Sequence, residues 1–598
     1  MKPPTAVGPE TCVDGPAKPE TGSVHSIVRM IIAMRRVALC LRVIARSGAR
    51  RRARWIVAAA AIGSATLLSA CGGTPTAASS GPLILTTYTP APKGDLSNVV
   101  WDLPIGEPVP LDPTKDWNPS ENEVLAQMCD SLFRINAAMQ IVPDLAESYS
   151  HPNPLTWVYN IRPGVHFWDG KPLTGEDVAY SLERQINPSV GSVYLQPAGV
   201  MIASVRQTGP LQVTITTHRP NVLVNEMMGT GMGVVTEEAF TKAAGSSYGN
   251  PQRGVMCTGP FEFKSWTPGQ QIVIVRNPHY WDAALEPKVA SVTFKFVTDS
   301  STLTDALLTG EIDGTYDAPA SSVSELRNTS AGHLYVGPAT DLAGLVAIGG
   351  NTARETRLLA ALSLAIDRRS LAKIGYSGAA TPIWSSSVFP IHYPQAAPVY
   401  QAYNEELLRE FGQRQLNLQQ ARRIVAQVGK ITKPLTMVYT AGITTESVVA
   451  TAIVAEAQAV GIPMQAVPLQ PAAVNALYLS PAARKNYDLL LSFQLWTDMT
   501  DPLEAMAVNT LPGPTNLSRW TLPPAALKEF NEANATTNPT KRAELTVAVD
   551  KVVVNSSRYI PLLYTPERMF LGKRITGPSA SWPYAFHYPW AAQLGAAR

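Results

Sequence analysis

The sequence predicts a mixed α/β fold with more than one lobe, and three observations lead to this prediction. Over residues 155–161, large apolar side chains occupy every second position, which is the period of a half-buried strand. Leu358, Leu362 and Ile366 recur at helical spacing, as on the apolar face of an amphipathic helix. The chain has 598 residues, which is enough for several lobes.

The first strand is followed by a turn, a short strand and a helix. Pro163-Gly164 predicts the turn, because Pro presets φ and Gly tolerates positive φ. The short strand covers residues 165–168. Thr174 is a candidate N-cap, and Asp177 three residues later completes a near capping box at the start of the helix.

Later segments repeat this mixture of elements. Val213 and Ile215 alternate with threonines and predict a strand, and Pro268-Gly269 divides a predicted hairpin. Helices are predicted near 416–428 and 445–460, with a strand at 435–440.

The charge distribution gives no indication of a nucleic-acid-binding protein. The chain has 49 Lys and Arg and 46 Asp and Glu residues, of which 11 basic and 3 acidic ones lie in residues 1–70. The rest of the chain therefore holds 38 basic and 43 acidic residues. A mildly acidic body lacks an electrostatic footprint for nucleic acid, so we expect no nucleic-acid partner.

The basic excess near the N-terminus fits an export sequence. Four arginines between positions 50 and 54 precede an apolar run over 55–68, which suits a signal peptide but is short for a membrane span. The run ends in Leu-Ser-Ala-Cys71, which looks like a bacterial lipobox. We predict that residues 1–70 are an N-terminal extension and lipoprotein signal peptide, that residues 71–96 are a flexible tether, and that Cys71 carries the lipid.

Some alternatives at the N-terminus remain open. Cys71 could instead be a buried cysteine after an apolar helix. Translation could start at Met30 or Met34, and Arg51-Arg52 is a weak match to the twin-arginine export sequence.

Two cysteines remain in the body of the mature chain. Cys12 and Cys40 precede the predicted cleavage site, which leaves Cys129 and Cys257 besides Cys71. In an oxidising compartment two such cysteines favour one disulfide, although two buried free thiols are an alternative.

The sequence carries no recognisable enzyme motif. It has no phosphate-binding loop, zinc-protease, serine-hydrolase or CxxC pattern, and its 8 histidines are scattered. We therefore expect neither enzyme activity nor a cofactor, and no metal site.

Several blocks of sequence resemble a known family in their order along the chain. They are Leu-Asp-Pro at 111–113, residues 145–184, Thr-Gly-Pro to Tyr-Trp-Asp at 258–282, Gly-Glu-Ile-Asp at 310–313, the Ala-Ile-Asp-Arg helix at 354–368 and the tail at 558–571. Together they resemble the family-5 solute-binding proteins of ABC transporters, which include oligopeptide-, dipeptide- and nickel-binding proteins. Within these blocks we expect Tyr280 and Trp281 to pack in the core rather than to contact ligand.

The resemblance implies a two-lobe periplasmic-binding-protein-like fold (type II, cluster C) with a ligand cleft and an inserted sub-lobe. Lobe I would combine residues 97–129, 205–343 and 558–598. The sub-lobe would be residues 130–204, and lobe II residues 344–557. The chain would cross between the lobes near 343–351 and 560–564, and the lobes would close about the ligand.

The resemblance also implies a set of ligand-binding residues. In peptide-binding members, an Asp four residues before a Pro pairs with the α-amino group of the peptide, and here this pattern is Asp498 and Pro502. The preceding residues would offer backbone groups to an extended peptide, and they are Gln494, Leu495, Trp496 and Thr497. Trp496 lies one position closer to the Asp than is usual in the family. The alternative is that Asp498 is only a loop acid.

The expected function is that of a lipid-anchored receptor on the outer face of the cell membrane. It would act as a monomer, bind short peptides and deliver them to the permease and ATPase subunits of an ABC importer. Alternatives are a non-peptide ligand such as haem, a nickel chelate or an oligosaccharide, and a non-transport regulatory lipoprotein of the envelope with the same fold. A secreted hydrolase fits least, because its motifs are missing.

Overall fold

The computed structural model describes most of the chain from residue 85, which lies within the predicted tether 71–96. The end of that predicted tether is bonded to the body of the protein, because the N–H of Lys93 donates to the carbonyl of Ala596 at 2.8 Å and the N–H of Leu96 to that of Lys288 at 2.9 Å. The described residues are 85–116, 118–195, 201–349, 353–387, 396–410, 416–492, 499–513 and 516–598. Within these ranges no helix is both long enough and apolar enough to cross a bilayer.

The strands are numbered in chain order. They are β1 (Val99–Asp102), β2 (Phe133–Ile135), β3 (Ile141–Pro143), β4 (Ala146–Asn153), β5 (Thr156–Ile161), β6 (Ile202–Gly209), β7 (Gln212–Thr217), β8 (Phe261–Thr267), β9 (Gln271–Arg276), β10 (Ser291–Lys295), β11 (Gly314–Thr315), β12 (Gly332–Gly337), β13 (Leu342–Ala347), β14 (Thr381–Pro382), β15 (Leu435–Thr440), β16 (Met464–Leu469), β17 (Leu489–Ser492), β18 (Tyr559–Tyr564), β19 (Glu567–Gly572), β20 (Ile575–Thr576) and β21 (Gly595–Ala596).

The α-helices are numbered in the same way. They are α1 (Pro119–Met128), α2 (Gly175–Ile186), α3 (Val224–Met227), α4 (Glu238–Ala244), α5 (Ser300–Thr309), α6 (Val323–Asn328), α7 (Ala353–Ala365), α8 (Arg368–Tyr376), α9 (Ala397–Glu410), α10 (Leu418–Val428), α11 (Thr444–Ala459), α12 (Pro471–Leu479), α13 (Pro502–Thr510), α14 (Pro524–Ala535), α15 (Pro539–Asn555) and α16 (Trp582–His587).

Two large mixed sheets form the two lobes. The lobe I sheet has seven strands in the order β12-β19-β11-β1-β10-β9-β8, and the lobe II sheet has six in the order β14-β18-β13-β17-β15-β16. Lobe I packs around buried aromatic rings, among them Trp101 and Trp590, whose ring centroids lie 4.4 Å apart. Lobe II packs around aliphatic side chains such as Leu362, Ile453 and Leu562.

A third sheet belongs to the inserted sub-lobe, and it extends beyond the expected boundary at residue 204. Its order is β4-β5-β7-β6, and β5 pairs antiparallel with β7 from Thr156–Thr216 to Asn160–Gln212. The expected boundary would cut through β6 and assign β7 to lobe I. Pairing between distant segments decides sheet membership, so the sub-lobe continues at least to Thr217. It also includes α3, because the N–H of Phe133 in β2 donates to the carbonyl of Met228, directly after α3, at 3.0 Å.

The crossings between the lobes also differ from expectation by a few residues. The chain leaves β12 at Gly337 and enters β13 at Leu342, and it leaves β18 at Tyr564 and enters β19 at Glu567. Because β18 pairs with β13, it belongs to the lobe II sheet and not to lobe I. The two crossings are therefore residues 338–341 and 565–566.

Local predictions agree closely with the structure where neighbouring residues decide the conformation. Thr174 and Asp177 form the capping box of α2, with both reciprocal hydrogen bonds present. The predicted helix around Ile366 is divided, because the carboxylate of Asp367 accepts hydrogen bonds from the backbone N–H groups of Arg369 and Ser370 and starts α8. The short strand expected over 165–168 is only an isolated bridge between His166 and Pro172.

Candidate ligand-binding cleft

The two large sheets direct the carboxyl ends of parallel strands at one shared space. In lobe I, β1 runs parallel to β10 and β11, and in lobe II, β15 runs parallel to β16 and β17. An open cavity lies between them, with about 1110 Å³ of space when the solvent at its mouth is included. Ligands of open α/β sheets bind outside the carboxyl ends of the strands. This cavity is therefore the candidate ligand site.

Both lobes contribute to the wall of the cavity. From lobe I come Pro104 and Ile105 after β1, Val297 and Thr298 after β10, and Ser300 and Leu303 of α5. From lobe II come Thr440 and Ala441 after β15, Val474, Asn475 and Tyr478 of α12, and Leu491 and Ser492 of β17. The wall combines apolar side chains with hydroxyl and carboxyl groups, as is usual for small-molecule sites.

Arg568 is the one cationic side chain that the described part of the chain contributes to the wall, and it is already engaged. Its Nη2 pairs with the carboxylate of Asp317, its Nε donates to the carbonyl of Ala318 at 2.9 Å, and its Nη1 donates to the carbonyl of Pro566 at 2.8 Å. The guanidinium therefore balances Asp317, and at least three of its five N–H donors are used within the protein.

Asp341 lies where the two crossings meet. It precedes β13, and its Oδ2 accepts a hydrogen bond of 3.0 Å from the hydroxyl of Thr565, the residue that follows β18. Asp341 is 5% exposed, and its Oδ1 has no hydrogen-bond partner within the described ranges. Burial, and then the charge of Asp317, raises the pKa of the Asp341 carboxyl well above its ordinary value.

Glu446 supplies a further carboxyl group from lobe II. It lies in the first turn of α11, and its Oε2 accepts a hydrogen bond of 2.5 Å from the backbone N–H of Thr440. Burial raises the pKa of Glu446 to about 8, although the hydrogen bonds from Thr440 act in the opposite direction. In both carboxyls burial favours the neutral form, and a cation in the cavity would favour the charged form.

The residues that the resemblance assigned to the ligand lie outside the described residues. They are Gln494, Leu495, Trp496, Thr497 and Asp498, in the segment 493–498 that follows β17. Ser492, the last residue of β17, lines the cavity, so this segment begins at its wall. Cys71 also lies outside the described residues.

The chain beyond this segment is held by the sub-lobe. Oε1 of Glu226, in α3, accepts the backbone N–H groups of Thr500 at 2.8 Å and of Asp501 at 3.1 Å, and it also accepts the Thr500 hydroxyl. Nearby, the backbone N–H of Val222 donates to the carbonyl of Asn534 at 2.9 Å. These bonds join the sub-lobe directly to lobe II.

The predicted cysteine pair and aromatic residues meet in lobe I, away from the cavity. The Sγ atoms of Cys129 and Cys257 lie at the bonding distance of 1.99 Å. Tyr280 and Trp281 both donate side-chain hydrogen bonds of 2.9 Å to the buried carboxylate of Asp130, the residue after Cys129. The two aromatic residues therefore pack and bond within the protein, as expected.

Sequence reasoning missed Asp317, Asp341, Glu446 and Arg568. They come from distant parts of the chain and form no motif. Only Arg568 lies in a block that resembles the family, and that block suggested no role for it. Two of them could have been found from the sheet topology. Ligands bind outside the carboxyl ends of parallel strands, and this rule points to the residues after β11 and β15, among which are Asp317 and Glu446.

Comparisons with known proteins agree with this geometry. Residues 140–516 match the model of the bacterial extracellular solute-binding proteins, family 5. The periplasmic murein peptide-binding protein MppA of Escherichia coli K12 is 26% identical over 322 residues, which cover 50% of this chain and 59% of MppA. The chain thus spans about three-fifths of the length of the curated relatives that it matches.

Two solved structures share the fold over nearly their whole length. AgaA of A. tumefaciens R10, in complex with agropinic acid, has a TM-score of 0.73 and 19% identity, and the match covers 84% of this chain and 99% of AgaA. DppA of Helicobacter pylori, in complex with the peptide STSA, has a TM-score of 0.72 and 17% identity, with coverage of 84% and 99%. The two-lobe fold and the matched family model together show that the chain belongs to the bacterial extracellular solute-binding proteins of family 5.

Proposed function

We propose that the protein is the lipid-anchored substrate-binding component of an ABC importer and that it binds short peptides between its lobes. The observation that carries the proposal is the cavity at the strand ends of both lobes. Lobes joined by two crossings at 338–341 and 565–566 can rotate about them and close on a ligand.

Two observations support a peptide as the ligand. The solved relative DppA holds a peptide and the curated relative MppA is named for one. In addition, Ser492, the residue before segment 493–498, lines the cavity, which supports pairing of an extended peptide with the backbone of that segment. Asp498 would then take the α-amino group.

Export and anchoring are supported by separate features. The run before Cys71 has the composition of a lipoprotein signal peptide. The bonded pair of Cys129 and Cys257 fits an oxidising compartment, where disulfides persist. The protein would therefore sit outside the membrane, held by the lipid on Cys71, and pass its ligand to the permease and ATPase subunits.

The ligand class is tested by native mass spectrometry and calorimetry. Protein purified from its host without refolding should carry peptide masses that are lost on denaturation, and ligand-free protein should bind Ala-Ala-Ala. A different co-purified mass together with no binding of Ala-Ala-Ala would move the ligand to a non-peptide class.

The role of Asp498 is tested with one variant and one modified peptide. Removing one partner of a desolvated charge pair typically costs ~2–5 kcal/mol, so Asp498→Ala should weaken Ala-Ala-Ala binding by at least roughly tenfold. N-acetyl-Ala-Ala-Ala should bind poorly to the unmutated protein. Asp305→Asn, on the exposed face of α5, serves as the control and should bind both peptides as the unmutated protein does. Equal binding of both peptides to the unmutated protein would remove Asp498 from the site.

A further inference from the structure

The carboxyl groups of the cavity outnumber its cations. Among the described residues of the wall, Asp317, Asp341 and Glu446 face one guanidinium, that of Arg568. Arg568 forms its ion pair with Asp317 and donates to two backbone carbonyls. Its charge also acts on Asp341, but neither Asp341 nor Glu446 forms an ion pair within the described ranges. The cavity therefore has the capacity to neutralise a positive charge on a ligand.

Asp341 gives an independent indication that something binds here. A buried oxygen without a partner costs free energy, and native proteins rarely leave one unless a ligand, an ion or water completes it. Asp341 is only 5% exposed and lines the cavity, and its Oδ1 has no hydrogen-bond partner in the described part of the chain. Its other oxygen is held by Thr565, so the carboxylate has a fixed orientation.

The surroundings of Asp341 suit a cation on an alkyl stem. Tyr478 and Ser492 line the same cavity, and their hydroxyls lie 2.7 Å apart, so the wall presents further oxygen atoms to a cation. Apolar wall residues, among them Ile105, Leu303 and Val474, can cover methylene groups. Lysine and arginine side chains combine these two properties, because an apolar stem carries their charge.

We propose that Asp341 anchors a cation subsite, with Glu446 as a second carboxyl on the same cavity wall, and that the subsite receives an alkylammonium or guanidinium group of the ligand. The inference rests on the proposed function and deepens it. The preferred peptides would carry a lysine or arginine side chain in addition to the α-amino group assigned to Asp498. Asp341, the anchor of the subsite, belongs to the crossing 338–341.

The test compares isosteric peptides and a small cation. Calorimetry measures Ala-Lys-Ala against Ala-norleucine-Ala, and thermal unfolding measures n-butylammonium against uncharged 1-butanol at matched ionic strength. The proteins are the unmutated chain, Asp341→Asn, Glu446→Gln and the surface control Asp305→Asn. Asn and Gln keep the shape of the neutral carboxyl, so both cavity variants should fold.

We expect Ala-Lys-Ala to bind the unmutated protein and the control at least tenfold more tightly than Ala-norleucine-Ala. The difference should fall to threefold or less in Asp341→Asn and should shrink in Glu446→Gln. n-Butylammonium should raise the midpoint of thermal unfolding of the unmutated protein but not that of Asp341→Asn.

The outcomes separate this inference from the proposed function. Equal binding of the two peptides, or a lysine preference that survives in Asp341→Asn, overturns the subsite and leaves the peptide proposal standing. Stabilisation by n-butylammonium that needs Asp341, without binding of any peptide, supports the subsite and refutes the peptide proposal. Absence of binding by both peptides and by n-butylammonium overturns both.

Discussion

Glu226 offers a sharp test of how the sub-lobe is joined to lobe II. One carboxylate oxygen accepts two backbone N–H groups, those of Thr500 and Asp501, and one hydroxyl. Glu226 and both partners are buried, so water does not easily replace a lost acceptor. Removing the acceptor should therefore free the chain directly after segment 493–498.

The size of the effect follows from the bonds. A hydrogen bond to a charged group contributes roughly 1.5–3 kcal/mol, so loss of the two amide bonds in Glu226→Ala should cost at least ~3 kcal/mol locally. Each 1.4 kcal/mol is a factor of ten, so the opening equilibrium should rise roughly 100-fold. Glu226→Gln keeps a neutral oxygen acceptor and should give a clearly smaller rise.

Hydrogen exchange read by mass spectrometry measures this opening on peptides covering residues 499–505. Exchange there should quicken in the order unmutated protein, Glu226→Gln, Glu226→Ala, with the midpoint of global unfolding changing much less. Glu183→Ala, at an exposed position of α2, is the control and should exchange like the unmutated protein. Unchanged exchange in Glu226→Ala would refute the reasoning that this carboxylate holds residues 499–505 in place.

Three further predictions concern the N-terminal region, the cysteine pair of the body and the cavity. Cys71→Ala should leave an unprocessed precursor or release the protein from the membrane fraction, and a variant that is still cleaved and membrane-bound would exclude the lipobox. Thiol labelling of unfolded, non-reduced mature protein should find neither Cys129 nor Cys257 reactive, and two labelled thiols would exclude the disulfide. In the chain-entropy model this disulfide stabilises the folded protein by up to ~4–5 kcal/mol. Because burial raises the pKa of Glu446 to about 8 from 4.5, the folded protein retains a proton that the unfolded chain releases, so stability should fall as pH rises from about 4.5 to about 8. Glu446→Gln should flatten that fall in thermal unfolding midpoints, and an unaltered slope would contradict the assignment.

The sequence predicted elements whose conformation is decided by neighbouring residues. The strand at 435–440 has the bounds Leu435–Thr440, and the helix expected over 445–460 is α11, Thr444–Ala459. Thr174 forms its capping box because the partner is only three residues away. Periodicity and capping are local properties, so one sequence was sufficient for them.

The lobe boundaries could not be read in the same way. β6 and β7 have ordinary alternating patterns that suit either lobe, and only pairing with β5 assigns them to the sub-lobe. Similarly, β18 resembles any buried strand until it pairs with β13 across more than two hundred residues of chain. Sheet membership is decided by non-local contacts, which a pattern in one segment does not contain.

The position of Asp341 explains why the cation subsite would matter for closure as well as for selection. Asp341 belongs to one crossing, and Thr565, which holds its carboxylate, belongs to the other. A ligand charge bound at Asp341 would therefore lie beside both crossings. A ligand shifts a conformational equilibrium only by its difference in affinity for the two states. Because the cavity takes wall residues from both lobes, a ligand that contacts both walls would bind the closed state more tightly than the open one and would supply that difference.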